Sequence, residues 1–486
     1  MAVRVYDAPP NIPLNADFVI AVKRDEDEND EWQPVAAYAV DVANANTTCN
    51  TFNRHTVAVA SFDFDGLVQV RVRYLAGAIS SAEIRPRSLN IETETRNEDN
   101  TITFSLRTPK DVMLELNGNK WTALHLLTSA IDHTAPTHDT DEIVYFGPGI
   151  NQVSDAARTL IADDGVNLLV PSNKTVYIAP GAFITYRLNF LNVSNSAVRG
   201  HGFILGPEGG YKVREHGGAI HMSGARDILV EGVTSLGANG FSLSAGECRN
   251  LHINGYRSFS SAGNGDGVDI FCSTDVTIEN CFLRTSDDAI ALYSHRWDWR
   301  GGSRNITIQN CVLLPDIAHA INMGTHGNPA TPETTSGVVI RNIDILDHEE
   351  NQVWYQGCIA INVADENLFR GILIEDVRVE RITRGQLLNL RVMQNVMWTT
   401  APGRGIEDVT IRRLSLDTRD SKVINPSMIL GYDATRRIRN VTIEDLSING
   451  RVIHEVMEKP RWYMTADMVP AFINEHVEGV KFVQSN

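Results

Sequence analysis

The sequence predicts an all-β protein: a right-handed, single-stranded parallel β-helix over 146–486, preceded by an N-terminal antiparallel β-sandwich over 1–145. Three observations predict it. Short alternating segments fill the first part of the chain. A short phrase recurs at solenoid spacing through the second. Neither part shows an apolar period of 3.6 or a repeated Leu frame, which argues against helical and leucine-rich repeats.

In the first part, Val68-Gln69-Val70-Arg71-Val72-Arg73-Tyr74 alternates strictly, the period-two pattern of a half-buried strand. Phe18–Val22, Val57–Ala60 and Val112–Leu116 are similar. Several such strands at short spacing predict a sandwich. The stretch Asp132–Asp141, rich in His, Thr, Pro and Asp, is expected to be a linker or wrapped loop.

The recurring phrase starts at Ile228, Leu251, Val276, Ile306, Val338, Ile372, Val409 and Val441, at spacings of 23, 25, 30, 32, 34, 37 and 32 residues. Each copy alternates apolar with polar residues, then places Asn, Gly or another polar residue before an apolar one. That is one strand and one corner of a coil. Repeats of this length mean a solenoid, which grows by adding units and so escapes the size limit of a single core. Asn at the corner is expected to form a ladder that bonds the turn backbones of adjacent coils. The longer coils towards the C-terminus imply longer loops, and loops on one face build a cleft. The segment 452–486 is expected to cap the open end.

The net charge of −17 argues against a nucleic-acid backbone or an anionic membrane surface as partner, because both need basic patches. An acidic ligand would need a local basic subsite. No apolar run reaches membrane-spanning length. The N-terminal MAVRVYDAPPNIPLNADF lacks the apolar core of a signal peptide. The sequence therefore fits a cytoplasmic protein, or a secreted or periplasmic one whose signal has been removed. The cysteines form no CxxC pair. Cys281 and Cys311 close similar tripeptides and are expected to stack as small buried residues on neighbouring coils.

Three fragments on consecutive coils carry the chemistry: Asn264–Asp269, Ser286–Ile290 and Ala318–Gly324. Asp266 and Asp287 are 21 residues apart, close to one coil. One coil places two side chains in one column, about 4.8 Å apart. Stacked carboxylates repel, and the pKa of at least one rises. Glycoside hydrolysis needs this split, with one carboxylic acid to protonate the leaving oxygen and a carboxylate to activate water or attack the sugar. Adjacent strand residues face opposite ways, so Asp287 and Asp288 must lie at a strand end or bulge to share a cleft. Asp269 is expected to bond the turn backbone. Solvated loop aspartates, or a calcium site, are the plainer readings of the same residues.

These residues resemble the polygalacturonase-like glycoside hydrolases, a β-helix family of pectin-degrading enzymes. Asn264–Asp269 is similar to the NTDG-x-D motif, with Gly265 for Thr, and Asp287-Asp288 to the DD motif. His319, Ile321, Gly324 and Thr325 are similar to GHG-x-S-x-GS, with Ala318 and Ala320 in place of two glycines. Val176–Ala182 resembles the LAPGA phrase. The resemblance covers about residues 165–450. It implies an inverting hydrolase of a polysaccharide or oligosaccharide that needs no metal or other cofactor. Asp287 would be the general acid. Asp266 and Asp288 would hold and deprotonate the water, and His319 would sit by the acid. An inverting pair is expected about 6.5–9.5 Å apart.

The family's R-x-K motif, which grips a uronate, falls here on Ala360 and Asn362. Without those cations a uronate loses its charge-assisted hydrogen bonds, unless Arg391 or Arg370 supplies one from a loop. The leading sandwich is similar to the dextranase and isopullulanase group, which cuts neutral α-glucans. Trp297, Trp299 and Arg300 (or Arg296), in the loop after the acid pair, are candidate sugar contacts, as are His326, Gln356 and Asn362. A non-catalytic carbohydrate-binding β-helix and a β-helix lyase are the competing readings. The lyase needs a basic residue in the Asp266–Asp288 column, and none is present there.

Overall fold

The structure, a computed structural model, describes residues 2–24, 31–46, 51–96, 98–206, 218–457 and 471–485. Among these, helix is confined to Asp155–Arg158 and a 3-10 turn at Arg87–Leu89. The rest is strand and turn. From Ile143 onward the strands stack as a right-handed β-helix, in a twenty-stranded sheet, an eleven-stranded sheet and the short pair Arg384–Gln386 and Val423–Asn425, all parallel except the hairpin Leu446–Ile448 and Arg451–Ile453.

The recurring phrase is the register of the larger sheet. Ile228 pairs with Leu251, Leu251 with Val276, and so on through Ile306, Val338, Ile372 and Val409 to Val441. All eight residues are buried and point into one continuous core. Each fully buried aliphatic side chain contributes about 1.5–3 kcal/mol relative to exposure. Repetition, rather than any single residue, therefore holds the solenoid.

The corners explain the polar residue in the phrase. Gly232, Gly255, Asn280, Asn310, Asn342 and Asp376 all adopt positive φ, a conformation open to Gly and tolerated by Asn and Asp. The corner Asn side chains bond to Asn side chains of the preceding coil rather than to the turn backbone: Asn280 Nδ2 donates to Asn254 Oδ1, beside Gly255, at 2.8 Å, and Asn342 Nδ2 to Asn310 Oδ1 at 2.7 Å. A second positive-φ column runs through Asn195, Asp227, Asn250, Asp275, Asn305, Asp408 and Asn440. There Asn250 donates to Asp227, Asn305 to Asp275 and Asn440 to Asp408. Cys281 and Cys311 lie on neighbouring coils, free and buried, as expected. Cys49 lies outside the described residues.

The N-terminal strands form two facing sheets. One holds Phe18–Arg24, Gln33–Val35, Val68–Tyr74, Glu94–Arg96 and Thr101–Leu106. The other holds Ala2–Arg4, Ala37–Asn46, Thr51–Asp65, Ala82–Arg85, Val112–Leu116 and Asn119–Ser129. Ile20, Val22, Val70 and Val72 of the first pack on Ala58, Ala60, Leu114 and Leu124 of the second. Pairing is antiparallel except that Asn119–Ser129 runs parallel to Thr51–Asp65. The expected antiparallel sandwich is present, with that one parallel pair inside it.

The outer face of the second sheet lies on the β-helix. Tyr38, Val40, Val57, Val59 and Leu127 pack on an aromatic seam of Phe183, Phe203, Phe259 and Phe282. The Phe183 and Phe203 rings stack 4.5 Å apart, and Tyr38 meets both edge-on. Buried charges border the seam. Arg85 pairs with Glu115 at 2.6 Å and Glu380 at 2.7 Å, and Lys120 with Asp347 at 3.1 Å. Desolvated pairs of this kind add little net stability but penalise any other docking, which would strand a buried charge. Of the C-terminal cap segment, Val477–Val483 adds one more coil strand against Ile438–Glu444, and 458–470 lies outside the described residues.

Candidate active site

The eleven-stranded sheet carries the candidate site. Val268–Phe271, Ile290–Tyr293, Ile321–Gly324, Ile359–Val363 and Leu388–Val392 are consecutive strands in it. Val268, Ile290, Ile321 and Ile359 point into the core. Alternation sends Asp269, Phe271, Tyr293, Asn322 and Asn362 to the other face.

Asp266 precedes the first of these strands, and Asp287 and Asp288 occupy the turn before the second. The pair thus sits at a strand end, as the alternation argument requires. Val268 pairs with Ile290, so the residues two positions upstream, Asp266 and Asp288, continue one column. The column neighbour of Asp266 is therefore Asp288 and not Asp287. Gly267 permits this close stacking, since a Cβ there would lie 2.4 Å from the Ala289 carbonyl oxygen.

One carboxylate oxygen from each of Asp266, Asp287 and Asp288 lies within 4.8 Å of the other two. That is tighter than the 6.5–9.5 Å expected of an inverting pair. The coil repeat sets the spacing: side chains in adjacent coils follow the backbone hydrogen-bond distance of about 4.8 Å. The three carboxylates are also the hard oxygen donors that a divalent cation takes.

Three like charges in one buried cluster cannot all ionise at ordinary pH. Asp288 keeps its charge. Its carboxylate accepts from His319 Nδ1 at 2.6 Å, His319 N at 3.0 Å, Asn322 Nδ2 at 2.7 Å and the Tyr293 hydroxyl at 3.3 Å. Against the cost of burial, the His319 charge and these bonds hold its pKa below the ordinary range. The other ring nitrogen, His319 Nε2, faces the Tyr355 carbonyl. A carbonyl and a carboxylate both only accept, so His319 must carry both ring protons. Its pKa is raised to about 9, by Asp288 first and against desolvation. His319 thus bonds Asp288, and not the expected acid Asp287.

Asp287 behaves oppositely. It is half-buried, its Oδ1 accepts only from the Asp288 backbone N–H at 3.1 Å, and its pKa is pushed well up by burial, then by Asp288 and Glu350. Asp266 is pushed up by burial and by Asp269, Asp287 and Asp288. Asp269 does not bond the turn backbone. It is wholly buried on the strand Val268–Phe271, and neither of its carboxyl oxygens has a hydrogen-bond partner. Burial and its acidic neighbours raise its pKa well above the ordinary range.

The cavity over the trio is walled by Arg296, His326, Glu350, Tyr355 and Trp398. His326 is where the sequence placed it, and burial and Arg296 keep its ring neutral. Five other candidate sugar contacts do not line this cavity. Trp299 is buried, its Nε1–H donating to Ser223 Oγ at 2.9 Å and its ring packed on Phe271. Trp297 lies beneath Arg296, 4.8 Å from the guanidinium. Arg300 is exposed to solvent on the outer side of that loop, its backbone N–H held by Glu247. Gln356 is wholly buried, donating to the Glu350 carbonyl at 2.6 Å and accepting from Asn425 at 2.7 Å. Asn362 faces outward on its strand, buried, with neither amide atom bonded.

Gly246 makes room for the Trp299 ring, since a Cβ there would lie 1.9 Å from it. Gly246→Ala is expected to displace the 295–300 loop and cost about 1–3 kcal/mol, the usual range for overpacking. Thermal unfolding and tryptophan emission check this together, and an unchanged emission would count against the packing.

Glu350, Tyr355 and Trp398 stand on loops 346–357 and 393–402, which the sequence reading passed over. Their only signal was the lengthening of the coils. The two cations suggested as uronate grips are both on strands and not on loops. Arg391 pairs with Asn362 in the cleft sheet, whereas Arg370 pairs with Ser336 in the other sheet, away from the cleft.

A polygalacturonase from Chamaecyparis obtusa is 29% identical over 156 residues, which is 31% of this chain and 29% of that protein. A dextranase from Arthrobacter sp. (strain CB-8) is 24% identical over 253 residues, 45% of this chain and 35% of that one. The matches thus span about a third of each relative's length. Among solved structures, Dex49A from Penicillium minioluteum superposes with a TM-score of 0.60 over 93% of this chain and 92% of that chain, at 14% identity, which speaks to the fold alone. The family model for glycosyl hydrolases family 28 matches residues 185–456, more than half of the chain and the whole of the site, and the protein belongs to that family.

Proposed function

We propose that this chain hydrolyses glycosidic bonds of a polysaccharide or oligosaccharide with inversion, Asp287 acting as the general acid. The observation that carries the reading is the split within one cluster: Asp288 held ionised by His319, Asp287 beside it held protonated. Environments that push neighbouring pKa values apart assign acid and base.

Asp287 protonates the leaving oxygen as the glycosidic bond breaks. Asp288, with Asp266 beside it, positions the water and takes its proton as the new bond forms. The buried Asp288 charge also stabilises the oxocarbenium-like transition state. Three carboxyl groups rather than two explain how inversion fits the tight spacing. The water is held on the Asp266–Asp288 column, and the acid projects from the preceding position. Membership of the family supports inversion, and the short separation is the feature that tests it.

The sugar beside the trio is read as uncharged. Ala360 and Asn362 offer it no cation, the trio repels a carboxylate, and the Arg296 guanidinium on the cavity wall is stacked over the Trp297 ring. The test is proton NMR of the first product formed on dextran, pullulan, polygalacturonate and an alternating uronate–neutral polysaccharide. Inverted product is expected, with polygalacturonate the slowest of the polymers that react. A retained anomer would refute inversion. Polygalacturonate as the best substrate would refute the uncharged subsite. Binding without turnover on every glycan would favour a carbohydrate-binding protein instead.

A further inference from the structure

Three buried side chains of the N-terminal domain, Arg85, Glu115 and Lys120, reach across to one short stretch of the β-helix. An Arg85 Nη2–H donates to the Leu346 carbonyl. Lys120 Nζ lies 3.1 Å from an Asp347 carboxylate oxygen and 3.4 Å from Asp316. Glu115 pairs with Arg381 at 2.9 Å, and Arg381 reaches Asp347 at 3.3 Å. Leu346 and Asp347 begin the 346–357 loop, which carries Glu350 and Tyr355 to the cavity over the acid trio. No N-terminal residue lines that cavity itself.

The start of the loop is tied to the site at both ends. Asp347 accepts from the backbone N–H groups of His348 at 2.8 Å and Thr383 at 3.0 Å, and from the Thr383 hydroxyl at 2.9 Å. Against burial, Lys120 and Arg381 hold its carboxyl well below the ordinary range. His348 fastens the far end. Burial and the His319 charge lower its pKa to about 3, so the ring is neutral and its Nε2 accepts the Gly357 N–H at 3.2 Å. Between the two ends, the Glu349 carbonyl accepts from the Ala318 N–H at 2.8 Å, and the Tyr355 carbonyl faces His319 Nε2. Strand register spaces Asp266 from Asp288. The loop supplies what register does not: an acceptor for the second ring proton of His319, and Glu350, which adds to the charge keeping Asp287 protonated. The aromatic seam already docks the two domains, and buried ion pairs add little net stability to it. Their place at the start of this loop is what calls for a function.

We propose that the N-terminal domain is part of the catalytic apparatus, with Arg85 and Lys120 as positioning residues that set the 346–357 loop and, through it, the bond from His319 Nε2 to Tyr355. This rests on the trio being the catalytic centre.

The experiment compares Lys120→Met with wild type in the full chain, by kcat and KM on a glycan the wild type cleaves and by proton NMR of the His319 ring N–H groups. Asp347 keeps Arg381 and Asp316 keeps Arg284 in this variant. It is expected to lower kcat about ten- to a hundredfold, the effect of a small displacement of catalytic groups by a remote change, with KM little changed because those groups act in the transition state. The Nε2 proton signal should shift while the Nδ1 signal, on Asp288, stays. Lys120→Arg, which keeps the charge, should restore part of kcat. Val57→Ala loosens the same interface in the seam without touching the loop. It should lower the melting temperature and leave kcat and both signals at wild-type values. Thr383→Val strips one bond from Asp347 on the β-helix side. It should move kcat and the Nε2 signal as Lys120→Met does, and it decides the matter if Lys120→Met does not fold: wild-type values there overturn the proposal. So do wild-type kcat and signals in folded Lys120→Met, or equal losses in Val57→Ala. If the wild type cleaves no glycan, the hydrolase reading fails, and an Nε2 shift confined to Lys120→Met and Thr383→Val still upholds the link between the domains. Turnover that Lys120→Met leaves intact would do the reverse.

Discussion

Asp287→Asn is expected to lower kcat by about 10²–10⁴-fold, the usual contribution of a positioned proton donor, and at the same time to raise the melting temperature at neutral pH. The two effects share a cause. The folded protein holds the Asp287 carboxyl protonated well above the ordinary range, because burial, Asp288 and Glu350 all oppose its charge. A group with a raised folded pKa favours the native state only while it is protonated. Once the pH exceeds the ordinary carboxyl range, keeping it in this cluster costs stability. Asparagine has the same shape and never ionises, so the cost disappears. The gain should be largest at neutral pH and vanish below about pH 4, where the unfolded carboxyl is protonated too. Thermal unfolding of both proteins at pH 3.5 and pH 7, with kcat measured alongside, decides the matter. Wild-type turnover would remove Asp287 from the acid role, and a lower melting temperature at neutral pH would contradict the electrostatic account.

Asp288→Asn should abolish turnover as well, but with the opposite effect on stability: a loss of about 3–5 kcal/mol, the cost of removing one partner of a buried ion pair. The imidazolium of His319 would then face an amide in a dry site. The wild-type pair also sets a pH dependence. His319 has a folded pKa of about 9, above its ordinary value of 6.5. Its contribution to stability is therefore complete below pH 6.5 and disappears as pH rises through 9. Asp288, whose pKa is lowered, contributes above the ordinary carboxyl range and loses that contribution on acidification. Denaturant unfolding across pH 5–10 should show the alkaline decline in wild type and not in Asp288→Asn. A decline of equal size in both would place its origin elsewhere.

The solenoid was legible because its cause is local. Ile228, Leu251, Val276 and their successors pair in the register that their spacing implies, since every coil solves the same burial problem with the same residues. The corner of Asn195, Asp227, Asn250 and Asn305 went unread, because Asn, Asp and Gly alternate there and no single letter repeats. At the site, the spacing of 21 residues pointed to Asp287 as the column neighbour of Asp266. Register is set by the strands that follow, and Val268 with Ile290 shifts the pairing to Asp288. Trp299 looked like a sugar platform because a tryptophan after an acid pair carries no sign of what lies under it. The space above Gly246, left by an absent side chain on another coil, receives its ring. Asp269 was assigned a turn bond on the strength of its motif position, yet it faces outward from a strand with its carboxyl unbonded. Glu350 and Trp398 reach the cavity from long loops, where side-chain direction follows no period.

The corner ladders and the parallel register divide the molecule into parts that can change at different rates. The separation of Asp266, Asp288 and His319 is measured out by main-chain hydrogen bonds, which every sequence makes alike. Insertions between coils, such as 346–357 and 393–402, leave that measure untouched while rebuilding the walls of the groove. Such an architecture lets a lineage reshape the groove by lengthening loops and never readjust the carboxyl cluster beneath them.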